Sequence, residues 1–247
     1  MSSLPAWPYP FWIAHRGGGK LAPENTLAAF RTGAAHGYRM FECDVKLSAD
    51  GAAFLMHDSD LERTTSGHGP SAALPWAELS RLDAGSWHSP AFAGEPLPLF
   101  ADVADFCRRE GCALNVEIKP SPGCEEETGR VVAREAARLW GGRHPPPLMS
   151  SFSYAALQAA QRAEPALPRA LLLDAVPADW LEQAASLGCV AVVCEHSLWT
   201  PARVGQAHAA GLRALAYTEN DRAEAQRLQA LQIDGLITDR IDLFPPG

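Results

Sequence analysis

The chain has 247 residues, 47% of them apolar and 20% charged, enough to bury one large core and the usual size of a single (β/α)8 barrel. A formal net charge of −8 excludes an overall field that would draw nucleic acid or anionic lipid, so any phosphate handled here must be held by local groups. No run of about 18 apolar residues occurs, so no transmembrane helix is expected.

The first residues, MSSLPAWPYPFW, lack a basic n-region and are interrupted by Pro5, Pro8 and Pro10, which argues against a secretory signal and for the cytoplasm. The first strand is predicted over 11–15; its apolar Phe11-Trp12-Ile13-Ala14 ends in His15-Arg16 and three glycines. Pro23-Glu24-Asn25-Thr26 then signals the start of a helix over 25–36. GGGK is not a P-loop, because the required first glycine would fall at Ala14 and Leu21 stands where Ser or Thr should be. The glycines instead let the backbone take positive φ or come close to a ligand.

A second strand is predicted over 39–45, with 53–57 as its extension ending in Met56-His57-Asp58. Residues 58–98 are rich in Gly, Pro and Ser with one short helical piece at 76–83, a length expected of a functional loop or a small insertion capping a barrel mouth. The remaining chain alternates helices (99–110, 125–140, 154–163, 178–187, 201–210, 221–231) with strands (112–118, 147–151, 169–173, 189–194, 212–217, 234–238). Gly37, Gly111, Gly188 and Gly211 fit helix C-termini, and Thr200-Pro201 and Asp221 fit helix starts. Setting 53–57 aside, eight strands separated by helices predict one domain over 1–247, a (β/α)8 TIM barrel. The six cysteines show no CxxC pair and no zinc spacing, and are read as reduced thiols, several of them buried.

Barrel chemistry sits at the C-terminal strand ends. Period two sets Glu42 and Asp44 on one face of the second strand against Phe41, Cys43 and Val45 on the other. Asn115, Glu117 and Lys119 likewise share a face of the next strand. The apolar sets belong against the helices, so the charged sets converge on the barrel axis. Three converging carboxylates cannot all ionise without compensation. A divalent cation with oxygen ligands, Mg²⁺, Ca²⁺ or Mn²⁺, provides it; a salt-bridge network with Arg16 and Lys119 is the alternative. His15 and His57, at neighbouring strand ends beside this trio, are the candidate proton carriers. His36, His68, His88, His144 and His208 are read as helix or loop residues without a catalytic part.

HRG followed by PENT, then ECDV, MHD and NVEIK, with later SSF, AYTEND and DGLITD segments, resembles the glycerophosphodiester phosphodiesterase family of the bacterial cytosolic type over about residues 13–240. The resemblance implies a (β/α)8 barrel with a small insertion after the second strand, and hydrolysis of glycerophosphodiesters to glycerol 3-phosphate and an alcohol. It implies metal ligands at Glu42, Asp44 and Glu117, catalytic histidines at His15 and His57, and phosphate-neutralising cations at Arg16 and Lys119. Tyr217 stands where the family usually carries a tryptophan, so the aromatic wall beside the substrate is smaller or gains a hydroxyl. The expected partner is a small-molecule glycerophosphodiester, with no nucleic acid and no stable membrane association. His15 is taken as base and His57 as acid, with water or the glycerol 2-hydroxyl as nucleophile. The rival readings are a phospholipase-like enzyme acting on lysolipid head groups and a catalytically silent sugar-phosphate-binding barrel.

Overall fold

Short apolar runs buried on both faces pair as parallel strands when helices cover their outer side. The computed structural model describes residues 4, 6–143 and 145–246, and His144 lies outside the described residues. The strands are β1 (Trp12–Ala14), β2 (Met40–Leu47), β3 (Ala53–Leu55), β4 (Ala113–Ile118), β5 (Leu148–Ser151), β6 (Arg169–Leu173), β7 (Ala191–Glu195), β8 (Arg213–Tyr217) and β9 (Gly235–Thr238). All except β3 pair in parallel, and β1 joins both β9 and β2, closing an eight-stranded barrel. The helices are α1 (Leu27–Ala35), α2 (Trp76–Leu79), α3 (Phe100–Glu110), α4 (Glu125–Trp140), α5 (Tyr154–Ala163), α6 (Trp180–Ser186), α7 (Pro201–Ala209) and α8 (Arg222–Ala230).

The helix ends follow the expected chemistry. Thr26, Ser153, Thr200 and Asp221 cap α1, α5, α7 and α8 by accepting backbone N–H groups with their side chains. Gly111, with φ of 66°, closes α3 in the left-handed conformation. Among the described residues no helix follows β9. Phe244 covers that side instead, stacking 4.5 Å from Trp12 while its carbonyl accepts the Tyr38 hydroxyl at 2.6 Å.

The period-two reading of the faces holds. Phe41, Cys43, Val45, Val116 and Ile118 pack outward with Phe100, Val103 and Val132 of the helices. Inside the barrel, Ile13, Met40, Leu148, Leu172, Val193, Leu215 and Ile237 fill the lower layers. Trp7 and Tyr9 pack against the same cluster, and the Tyr9 hydroxyl donates to Pro146 O at 2.9 Å. Polar inward residues are thereby confined to the upper end. Cys43, Cys107, Cys112 and Cys194 are buried free thiols, whereas Cys124 is exposed.

The expectation for 53–57 requires correction. Those residues do not extend β2; they return along it antiparallel, pairing Val45 with Leu55 and Lys46 with Phe54. The Met56 N–H donates to Asp44 O at 3.0 Å, so the hairpin climbs past the rim and brings His57 back down to the level of Asp44. The predicted helix at 76–83 is shorter, ending at Leu79. Residues 58–98 make a small core of their own, with Leu61, Leu79, Ala84 and Leu97 packed on Phe54 and Met56. This segment leans on the turn after β1: His88 Nε2 lies 3.1 Å from Lys20 O, and Glu95 accepts the Ala28 N–H at 2.9 Å.

Candidate active site

The inward faces of β2 and β4 pair Glu42 with Asn115 and Asp44 with Glu117, so four polar side chains meet at two adjacent levels of the barrel. Above them lies a cavity of about 160 Å³ lined by His15, Arg16, Glu42, His57, Asn115, Glu117, Lys119, Phe152, Leu172, Tyr217, Thr218 and Ile237. Seven of the eight residues singled out from the sequence line it. The eighth, Asp44, is buried beside it, with its carboxylate 3.3 Å from Arg16 Nε and 3.5 Å from Lys119 Nζ.

The three carboxylates are not equivalent. Burial works against ionisation of Asp44, but Arg16, Lys119, His57 and the Asn25 amide, 2.8 Å away, hold it at about 2. Burial, with the charges of Asp44 and Glu117 added, pushes Glu42 well above the ordinary carboxylate range. Burial and Asp44 push Glu117 up to about 7 even though Lys119 Nζ sits 2.8 Å from it. Ionising all three carboxylates against two cations would leave a net negative charge, and an anionic phosphodiester would add another. One divalent cation offsets both. Oxygen atoms of Glu42, Asp44 and Glu117 all lie within 4.8 Å of one another, and both polar side-chain atoms of buried Asn115 lack hydrogen-bond partners. The residues therefore fit a hard divalent ion such as Mg²⁺ or Ca²⁺.

The two histidines share one construction. His15 Nδ1 lies 2.6 Å from Asp239 Oδ1, and His57 Nδ1 lies 2.6 Å from Asp58 Oδ1. Burial works against the Asp239 charge, but His15 and Asn220 hold that carboxyl at about 2, so it accepts and Nδ1 donates. In each imidazole Nε2 is left as the atom that can exchange a proton at the cavity. His57 is pushed below its ordinary value by burial and by Arg16, against the pull of Asp44. Its partner Asp58 is kept low by Arg63, which also grips Glu24, and Glu24 in turn holds Arg16 at 2.7 Å.

The glycine turn serves packing. Gly17 and Gly19 have φ of 89° and 53°, and a Cβ on Gly19 would lie 2.1 Å from Asp239 O. Close approach of the turn to the end of β9 is what sets His15 against Asp239. Asp239 and Phe152 were not singled out from the sequence, and Asn115 was placed on the inward face without a role. A polar residue at the end of the last strand and an inward asparagine two residues before Glu117 were the available signals. Tyr217 donates its hydroxyl to Leu173 O at 3.1 Å and meets Phe152 edge to face at 5.7 Å, so two rings build the wall expected of one. A second cavity of about 300 Å³ shares His15 and Arg16 with the first and is bounded by Lys20, Trp87, His88 and Asp239.

Among the described residues no helix is long and apolar enough to cross a membrane. Residues 15–243 match the profile of the glycerophosphoryl diester phosphodiesterase family. The chain is 31% identical over 238 residues to Bacillus subtilis YhdW, covering 94% of this chain and 95% of that protein. It is 28% identical over 233 residues to the glycerophosphodiester phosphodiesterase of Caldanaerobacter subterraneus subsp. tengcongensis, covering 92% and 93%. Among solved structures, an Oleispira antarctica phosphodiesterase in complex with its product sn-glycerol-3-phosphate superimposes with a TM-score of 0.87 at 36% identity, over 94% of this chain and 93% of that one. With the closed barrel and the strand-end residues described above, these matches place the chain in the glycerophosphoryl diester phosphodiesterase family, as a phosphoric diester hydrolase.

Proposed function

We propose that this enzyme hydrolyses glycerophosphodiesters to glycerol 3-phosphate and an alcohol, with His15 and His57 as the proton-transfer pair. The carrying observation is that two carboxylate-braced imidazoles line the same cavity as Arg16, Lys119, Glu42 and Glu117. The product bound to the Oleispira antarctica relative has the chemistry that these groups suit. We read residues 58–98 as an insertion subdomain of one barrel domain spanning 1–247.

Glu42, Asp44 and Glu117 would hold the divalent cation, which supplies Lewis-acid neutralisation of phosphate charge when bound. Arg16 and Lys119 share the charge that develops on the phosphoryl oxygens. His15 Nε2 takes the proton of the attacking oxygen while Asp239 stabilises the imidazolium. His57 protonates the leaving alkoxide, and its lowered proton affinity makes its imidazolium a stronger acid. The attacking oxygen is that of water or of the glycerol 2-hydroxyl; a substrate lacking that hydroxyl separates the two. Phe152 and Tyr217 wall the cavity against bulk water and orient the glycerol.

The deciding assay measures glycerol 3-phosphate release from glycerophosphocholine beside lysolipid, with and without Mg²⁺ or Ca²⁺. Release only from lysolipid, or from neither, overturns the reading.

The Glu117 carboxyl, pushed up to about 7, must lose its proton to ligate a cation, so affinity rises with pH through that value. Between pH 6 and pH 8 the ionised fraction of such a group changes about tenfold. Ca²⁺ affinity measured by calorimetry should tighten by at least about that factor, since Glu42, also held above the ordinary range, must lose its proton too, with proton release on binding near pH 6. Equal affinity at the two pH values would remove Glu117 from the ligand set.

A further inference from the structure

A second cluster lies at the same end of the barrel, beyond the catalytic carboxylates. His196 opens the turn after β7, Glu219 stands two residues past β8, and Glu224 lies in the first turn of α8. His196 Nδ1 is 3.2 Å from Glu224 Oε1 and 3.4 Å from Glu219 Oε2. Glu219 has only 2% of its side chain exposed. One of its oxygens accepts the Asp221 N–H at 2.6 Å, whereas Oε2, aimed at His196, is buried without a hydrogen-bond partner.

His196 Nε2 also lies 3.0 Å from Glu195 Oε1, so carboxylate oxygens face both nitrogens of one imidazole, and its Nδ1 stands within hydrogen-bond reach of Glu224 Oε1. A proton on Nδ1 serves Glu224 and still leaves Glu219 Oε2 without a donor. A cation among the three atoms serves all of them. Ligands at 2.0–2.2 Å from a tetrahedral or octahedral ion stand about 2.9–3.5 Å apart, and the two measured separations fall in that range. Arg227 grips both oxygens of Glu224, Nε on Oε2 at 2.8 Å and Nη2 on Oε1 at 2.5 Å, and donates to the Trp199 and His196 carbonyls, which fixes the carboxylate and the turn in place and leaves one lone pair of Oε1 toward His196.

We propose that His196, Glu219 and Glu224 form a second divalent-metal site, with Glu195 and Arg227 as the outer partners that orient its ligands. One imidazole and two carboxylates select a borderline transition ion, Zn²⁺ before Mg²⁺, which prefers oxygen and water. The ion ties the turn after β7 to the segment joining β8 to α8. That segment includes Thr218, which lines the catalytic cavity, so the site braces one wall of it.

Equilibrium dialysis of the full chain against micromolar Zn²⁺ in excess Mg²⁺ tests this. The wild type should retain roughly one more Zn²⁺ than His196→Ala or Glu219→Gln, all checked for folding by circular dichroism. Equal retention by the wild type and the two cluster variants overturns the proposal. Should a variant fail to fold, anomalous scattering at the zinc edge from wild-type crystals grown with Zn²⁺ decides it. A peak among the three side chains supports the site, and no peak there overturns it.

Discussion

His57→Ala and His15→Ala are each expected to lower kcat on glycerophosphocholine by about 10²–10⁴ while the chain stays folded, the usual contribution of a general acid or base. Each imidazole is partly exposed at the cavity rather than part of the apolar packing, with 30% of the His57 side chain and 18% of the His15 side chain accessible. Truncation therefore removes a proton carrier and little buried apolar area. The carboxylates they leave behind keep other partners, Arg63 on Asp58 and Asn220 on Asp239. Asp239→Asn tests the brace separately. An amide in that place can donate as well as accept, so the Nδ1–H tautomer is no longer enforced, and kcat should fall with KM little changed. Steady-state kinetics with thermal unfolding measures all three variants. Wild-type turnover in either alanine variant removes that histidine from the mechanism.

Exhaustive chelation is expected to lower activity by at least about 10², with recovery on adding Mg²⁺ or Ca²⁺. Glu42→Gln and Asp44→Asn should both lose activity, but their stabilities should move apart. Glu42 is held above its ordinary range by burial and by two neighbouring charges, so an amide in its place relieves repulsion. Measured in EDTA, its unfolding midpoint should hold or rise. Asp44 is the counter-ion of both Arg16 and Lys119, and Asn in its place leaves two largely buried cations with less compensation. Breaking such a pair costs about 3–5 kcal/mol, and at this chain length that lowers the midpoint by roughly 6–20 °C. Full activity after chelation would take the three carboxylates out of their proposed role. Equal stability of the two variants would contradict the charge arrangement.

The legibility of this site was uneven for a physical reason. Strand periodicity is local, so the inward face carrying Glu42, Asp44, Asn115, Glu117 and Lys119 could be read from β2 and β4 alone. The alternation of strands with capped helices was equally local and implied the closed barrel. The order of HRG, PENT, ECDV, MHD and NVEIK carried the family.

Pairings across the closure were not local. Asp239 braces His15 from 224 positions away because β9 lies beside β1, and the fit of Gly19 over its carbonyl depends on that closure. The antiparallel return of β3, which sets His57 at the height of Asp44, hung on the hairpin turn rather than on strand propensity. The sequence by itself determined the fold class, the converging carboxylates and the two imidazoles, because side-chain alternation dictates those within single strands. Only the tertiary structure decided which carboxylate braces which imidazole, how unequally Glu42, Asp44 and Glu117 hold their protons, and that His196, Glu219 and Glu224 meet. Each of these depends on distances between segments far apart in the chain, and on how much water the closed barrel excludes from them.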